Sequence, residues 1–289
     1  MWGVVVNPIS GRGKGAIYAS KVIEHLTLHN LNYEVITAIN AITTAENLRK
    51  FLQRSDPITG IISVGGDGLA HLVIQQCATT TIPVAFIPAG TGNDLVRTLG
   101  WHKAQLRELL DIVITQKPTS MDLGLADGEW FAAILSTGFD SIVNERANRL
   151  KWPKGPSKYN LALAMELPLF NPRHYRLTLD NEVIETQAML VGIGNGNSYG
   201  GGMLVCPDAD VSDNLLDVVL LTPISKFEFI RVFPRVYKGT HISHPAVKVY
   251  RSAKVIIEAA AVAYADGERI GSLPIHAESV PQALLTWRR

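Results

Sequence analysis

In SVGGDGLAHLV, residues 63–73, three glycines surround Asp67 between an apolar run and a stretch with helical spacing. Gly65, Gly66 and Gly68 lack a Cβ, so backbone amides there can approach an anion closely, and a strand-to-helix turn is where phosphate is commonly cradled. Asp67 would repel a phosphate directly. A divalent cation, which takes carboxylate and phosphate oxygens together, removes that conflict; so would bonding of the carboxylate to backbone amides or to a sugar. A turn with a purely structural purpose is the other reading of this piece.

IPAGTGNDLVRTLG, residues 87–100, has the same form: Gly90 and Gly92 open a turn, Thr91 and Asn93 supply polar groups, and Asp94 starts a helix. Two such loops in one parallel sheet end on the same edge, where ligands bind. Simple capping by Asn93 or Asp94 would explain the second loop alone. Neither loop carries a Walker or a GxGxxG pattern. NPISGRGKG, residues 7–15, offers Asn7 and Ser10 to phosphate or ribose, with Arg12 and Lys14 as nearby charge, or is a solvated loop. In VAYADGERIG, residues 262–271, Asp266 and Glu268 flank Gly267. Paired carboxylates suit a proton acceptor beside a metal ligand. Asp-Gly between two strands is equally a common hairpin turn.

The elements that must position these residues alternate through the first half: strands at 2–6, 33–37, 60–64 and 82–88, with helices at 16–29, 45–54 (Thr44 as N-cap), 69–77, from about 94, and 103–114. That rhythm predicts an α/β unit with a mostly parallel sheet covered on both faces. After SMDLG the pattern becomes strand-rich, with strands at 130–136, 174–180, 183–194, 215–221, 246–250 and 253–259 and helices at 157–168 and 225–238. The boundary falls between residues 1–122 and 123–289.

Lys+Arg total 27 against 26 Asp+Glu, a net charge of +1, so the basic excess of a nucleic-acid binder is absent. Two cysteines, Cys77 and Cys206, give no disulfide framework. No stretch reads as a secretion signal or a spanning helix, which points to the cytoplasm, with peripheral contact at the inner membrane face left open.

Taken together, NPISG, SVGGDG, PAGTGND and ADGE, with NGNSYGGGM and CPDADVSDNLLDV, resemble in order and spacing the diacylglycerol kinase catalytic-domain family, which includes bacterial lipid kinases and sphingosine kinases. The resemblance implies a three-layer nucleotide-binding domain, a two-sheet β domain and an active site in the cleft between them, with the last residues packing back on the first domain. It implies ATP and Mg²⁺ as cofactors and phosphoryl transfer to a lipid hydroxyl, diacylglycerol first. Alternatives are another lipid alcohol or sphingoid base, a soluble substrate as in NAD kinases, and an inactive binding homologue. Asn7, Ser10, Arg12 and Thr37 fall on the nucleotide side with the two glycine loops. Asp266 falls at the base, Glu268 beside it, and Asp122 at a residue that organises the base or metal-bound water. Asp213 by its side chain, and Asp210 and Leu215 by carbonyls, fall at a second metal site; an acidic surface turn is the plain alternative. The implied partner is a lipid at a membrane surface, without nucleic acid or a transmembrane segment, and with a homodimer left open. RLKWPKGPSKYNLALAMELPLFNP, residues 149–172, reads as a core helix in preference to an apolar flap with Lys151, Lys154 and Lys158. Leu69 and Leu72 stand where many relatives carry Thr or Ser and Glu.

Overall fold

Apolar runs buried on both faces set up the first sheet. The computed structural model describes every residue except Ile39, Lys151, Pro153, Lys154 and Gly155. Strand β1 (Trp2–Val6) is followed by α1 (Ser10–Leu28), β2 (Tyr33–Ile36), α2 (Ala41–Leu52), β3 (Gly60–Gly65), α3 (Asp67–Cys77) and β4 (Val84–Pro88). Every residue of β1 and β3 is buried, as continuous apolar strands in a covered parallel sheet must be. The order is β2-β1-β3-β4, all parallel. From β1 the chain crosses outward to β2, whereas from β3 it crosses the opposite way to β4. The loops after these two neighbouring strands therefore diverge and leave a crevice, the usual ligand position in such sheets. They are the NPISG and GGDG loops.

Helix α1 is broken near its start by a left-handed turn at Gly11, Arg12 and Gly13 (φ 55°, 61° and 93°), in keeping with a loop at 7–15 ahead of the helix. One local expectation is corrected. The cap of α2 is Asn40, whose side chain accepts from the Thr43 amide at 2.9 Å; Thr44 lies inside the helix and donates back to the Asn40 carbonyl. Helices α4 (Asp94–Thr98) and α5 (Leu106–Thr115) complete this part, α5 packing on α1.

Strands β5 (Thr119–Ala126) and β6 (Glu129–Phe131) form a hairpin, and β7 (Ile134–Gly138) leads into α6 (Phe139–Arg149), a helix the sequence patterns did not single out. Then come α7 (Pro156–Glu166), β8 (Arg173–Leu179), β9 (Glu182–Ala188), β10 (Leu190–Gly194), β11 (Leu216–Leu221), α8 (Lys226–Val232), two 3₁₀ turns, β12 (Val247–Ser252), β13 (Lys254–Glu258), β14 (Val262–Ala265), β15 (Glu268–Ser272) and β16 (Ile275–Thr286). The apolar stretch 183–194 is two strands in different sheets, not one. An antiparallel six-stranded sheet runs β12-β11-β10-β7-β14-β15, and Leu135, Val191, Ile193 and Val218 from it pack with Tyr175, Leu177, Val255 and Ile257 of the other sheet in one core.

Strand β16 ties the halves together. Ile275–Glu278 pair with β13, residues 277–286 pair antiparallel with β5, and Thr286 pairs with Val84 of β4. The first sheet therefore continues as β4-β16-β13-β8-β9 into the second half. Among the described residues, no helix is long and apolar enough to cross a membrane.

Candidate active site

The two glycine loops touch through their backbones. A Cβ on Gly90 would overlap the Gly66 Cα, so both positions exclude any side chain. The amides of Ala89 and Gly90 donate to the Gly65 carbonyl at 2.7 and 3.1 Å. Asn93 closes the second loop on itself, accepting from the Gly90 amide and donating to the Gly90 carbonyl, each at 2.9 Å. The Asp67 carboxylate accepts from the amides of Asn93 and Asp94, both at 2.7 Å, so it holds the start of α4. Asp94 in turn accepts from the amides of Gly201 (2.9 Å) and Gly202 (2.8 Å). This explains the dense glycine run of the second half: Gly200, Gly201 and Gly202 all have positive φ (64°, 84° and 106°), which turns the amides of Gly201 and Gly202 toward one carboxylate. Burial pushes both Asp67 and Asp94 above the usual carboxylate range, and the amide bonds only partly offset it.

Asp266 sits in the Asp-Gly turn between β14 and β15, with φ of 51° at Asp266 and 90° at Gly267, the pair of positive values that a two-residue hairpin requires. The hairpin reading thus holds at this residue. The Asp266 carboxylate accepts from the amides of Ala132 (2.8 Å), Ala133 (2.9 Å) and Ile134 (3.2 Å). His71, on α3, lies with Nδ1 3.8 Å from Asp266 and Nε2 2.9 Å from Glu129. Burial lowers the His71 pKa, but Asp266 and Glu129 outweigh it and lift the imidazole above its usual value. His71 went unremarked in the sequence, yet Asp67, His71 and Gln75 are spaced i, i+4, i+8 and so share a helix face. Gln75 donates to the Trp130 carbonyl at 2.7 Å and fixes that face against β6. Glu268 is exposed, with Oε1 3.6 Å from where a Gly68 Cβ would stand, so it faces the GGDG loop.

The remaining expected residues distribute as follows. Asn7 ends β1 with its amide on the Val64 carbonyl (3.0 Å), and its own carbonyl accepts from the Ser10 amide. Ser10 Oγ faces Gly66, Arg12 is exposed, and Thr37 donates to the Val6 carbonyl at 3.2 Å. Thr91 and Gly92 line the cavity described below. The Asp122 carboxylate accepts from the amides of Asn214 and Gln282, both at 2.8 Å. Its link to Asp266 is indirect: Asn195 donates to the carbonyls of Asp122 and Ala132, and Ala132 donates to Asp266. Asn214 has φ 63°, a left-handed conformation that asparagine tolerates better than most residues. Asp210 accepts from Ser212, Asp213 accepts from the Leu215 amide, and Arg251 pairs with both Asp213 and Asp217. A guanidinium therefore stands against the Asp213 side chain expected to ligate a second metal. Leu69 is buried and folds back over Gly65; Leu72 packs partly against the core.

A cavity of about 730 Å³ opens from Asp67, His71, Asp94 and Asp266 and runs into the second half between Phe139, Val143, Leu163, Phe229, Val236 and Val247. Its polar end is small and its length apolar. Asp140, also unremarked in the sequence, lines it with Oδ1 unpartnered and Oδ2 accepting from Tyr199 at 3.3 Å. Burial raises the pKa of Asp140. Near the cavity, α7 has the core face expected, with Ala162 buried and Leu163 packed beside it, but Tyr159, Leu161 and Met165 on it are exposed, as are Leu169, Phe227, Ile230 and Tyr237. Lys226 joins the two patches by donating to the Leu167 carbonyl at 2.6 Å. Lys158 lines the cavity; Lys151 and Lys154 lie outside the described residues.

Residues 1–126 match the diacylglycerol kinase catalytic domain, and residues 133–287 match the YegS C-terminal NAD kinase beta sandwich-like domain. The chain belongs to the diacylglycerol kinase catalytic-domain family. A diacylglycerol kinase of Mycobacterium tuberculosis (strain ATCC 25618 / H37Rv) is 35% identical over 98% of this chain and 94% of its own length. One from Bacillus subtilis (strain 168) is 27% identical over 94% and 90%. A solved diacylglycerol kinase from Bacillus anthracis str. Sterne has the same fold, with a TM-score of 0.75 at 18% identity over 100% of this chain and 96% of that one; a second chain from that organism gives 0.82 at 21% over 100% and 95%. The protein is thus a lipid kinase, an enzyme of the ATP-dependent kind its family comprises.

Proposed function

We propose that this kinase transfers the γ-phosphoryl group of ATP to the free hydroxyl of diacylglycerol, giving phosphatidic acid. The observation that carries the reading is the position of Asp266, anchored by three amides at the polar end of a long apolar cavity and beside the glycine loops. A hydroxyl on an apolar chain lying in that cavity would bring its proton to Asp266. The hydroxyl oxygen forms the new bond to the γ-phosphorus, the bond from that phosphorus to the β–γ bridging oxygen breaks, and ADP leaves with the electron pair. Asp266 takes the proton, and His71 balances the resulting change of charge beside it.

The nucleotide would lie in the crevice between the loops after β1 and β3, where the contact of Gly66 with Gly90 fixes the GGDG loop and Ser10 Oγ faces it, with Asn7, Arg12 and Thr37 as its further expected contacts. Asp67 and Asp94, both raised by burial and without a paired lysine or arginine among the described ion pairs, form a donor set suited to Mg²⁺, with Glu268 at its edge. Bound there, Mg²⁺ would neutralise phosphate charge. Asp122 would act by holding the junction of the two halves rather than by contact with the base. The turn at Asp210, Asp213 and Leu215 would take a cation only by displacing Arg251. The exposed apolar residues of α7 and α8 would seat the cavity mouth on a membrane, where a lipid can enter without crossing water.

The test is a panel of lipid alcohols presented in mixed micelles with ATP and Mg²⁺. Phosphatidic acid formed at the highest kcat/KM supports the proposal. Preferred transfer to a sphingoid base or to another glycerolipid overturns the substrate assignment, and transfer to NAD alone overturns the lipid one.

A further inference from the structure

Helix α1 carries His25 and His29, an H-x₃-H spacing that places both rings on one face, and α5 brings Asp111 to the same place. One ligand atom from each of the three lies within 4.8 Å of the others. His25 Nε2 is 3.3 Å from Asp111 Oδ1, and the two imidazole rings are 4.7 Å apart between centroids. Ligand atoms around a tetrahedral zinc ion, bonded at about 2.0–2.1 Å, stand about 3.3 Å from one another.

The decisive atom is His25 Nε2. His25 is 9% exposed, and this nitrogen is buried without a hydrogen-bond partner, although Asp111 is close. The nitrogen is aimed at a second imidazole and a carboxylate. Histidine binds metal through such a ring nitrogen.

We propose that His25, His29 and Asp111 form a binding site for a late first-row divalent metal, zinc above all, that staples α1 to α5. Two imidazoles and one carboxylate are a donor set for zinc, nickel or cobalt and a poor one for magnesium. His29 and Asp111 are exposed, which leaves a coordination position to water. The site lies some 15 residues along α1 from Ser10, roughly 20 Å at helical rise, so it is separate from the nucleotide crevice. A metal there would fix α1, the helix whose first turn borders that crevice.

Cobalt(II) gives a direct readout, because four- or five-coordinate imidazole sites absorb visibly and hexa-aquo cobalt barely does. The full-length protein, stripped with chelator, is titrated with Co²⁺ in a large excess of Mg²⁺ that occupies sites made of oxygen alone. One equivalent should produce the bands, and Zn²⁺ should displace it. Saturating Zn²⁺ should also raise Tm by roughly 5 °C. His29→Ala and Asp111→Asn, both at exposed positions, should abolish the bands and the Tm shift while leaving the zinc-free Tm and kinase activity as in the wild type. Absence of bands in the wild type overturns the proposal, as does their persistence in both variants.

Discussion

Asp266 holds three backbone amides and faces one imidazole, so a substitution there has two separable effects. Asp266→Asn leaves the ring of amides with an acceptor on one side and an amino group on the other. It should lower transfer about 10²–10⁴-fold and cost about 1–3 kcal/mol of stability, with ATP affinity kept. Single-turnover rates, melting and nucleotide titration read these separately, and a variant transferring at the wild-type rate would remove Asp266 from the chemistry. His71 makes the opposite prediction with pH. Its folded pKa is raised, so bound proton favours the fold. That contribution is complete below the ordinary value near 6.5 and disappears as pH rises through the raised one. The Tm difference between wild type and His71→Gln should be larger at about pH 6 than at about pH 9. A difference independent of pH would show that His71 acts by packing alone.

At the scale of the element, Gly90→Ala tests whether the two loops must touch. Its methyl group would strike Gly66, at a cost of about 1–3 kcal/mol, and should weaken ATP binding more than lipid binding. Leu169→Asp and Phe227→Asp change exposed positions and should leave Tm within about 0.5 kcal/mol equivalent while sharply reducing sedimentation with phosphatidylglycerol vesicles. Unchanged sedimentation would move the membrane face elsewhere. These elements also show what sequence can carry. The strands β1, β3 and β4 and the loops after them were legible because continuous apolar runs and glycine spacing are local signals. The cavity was not, because Phe139, Phe229 and Val236 meet only through tertiary packing. Helix α6 was missed since its apolar positions are few and its start at Gly138 resembles a strand end. Asp140 was hidden with it. Arg251 as the partner of Asp213 was out of reach as well, since it lies 38 residues away and pairs across β11 and β12.

On the scale of the whole molecule, β16 makes the two halves share one sheet, and the Asp94 bonds to Gly201 and Gly202 join them at the cleft. Unfolding should therefore be a single cooperative transition. Two buried thiols report on it: Cys77 lies in α3 with its pKa pushed up to about 12, and Cys206 in the second half is pushed higher still by burial. Neither should react with a thiol reagent in the native protein, and both should become reactive over the same denaturant range. Labelling of Cys206 well before Cys77 would show independently melting halves.

The placement of β16 also constrains how the protein is made. Strand β4 offers one edge to β3 and the other to Thr286, 202 residues downstream of its partner Val84. During translation the first half must wait with an open strand edge until β16 has left the ribosome, an interval in which a chaperone, or pairing with another nascent chain, competes for that edge. Residues 1–126, which match the catalytic domain, thus have their sheet edge at β4 covered only once β16 is in place.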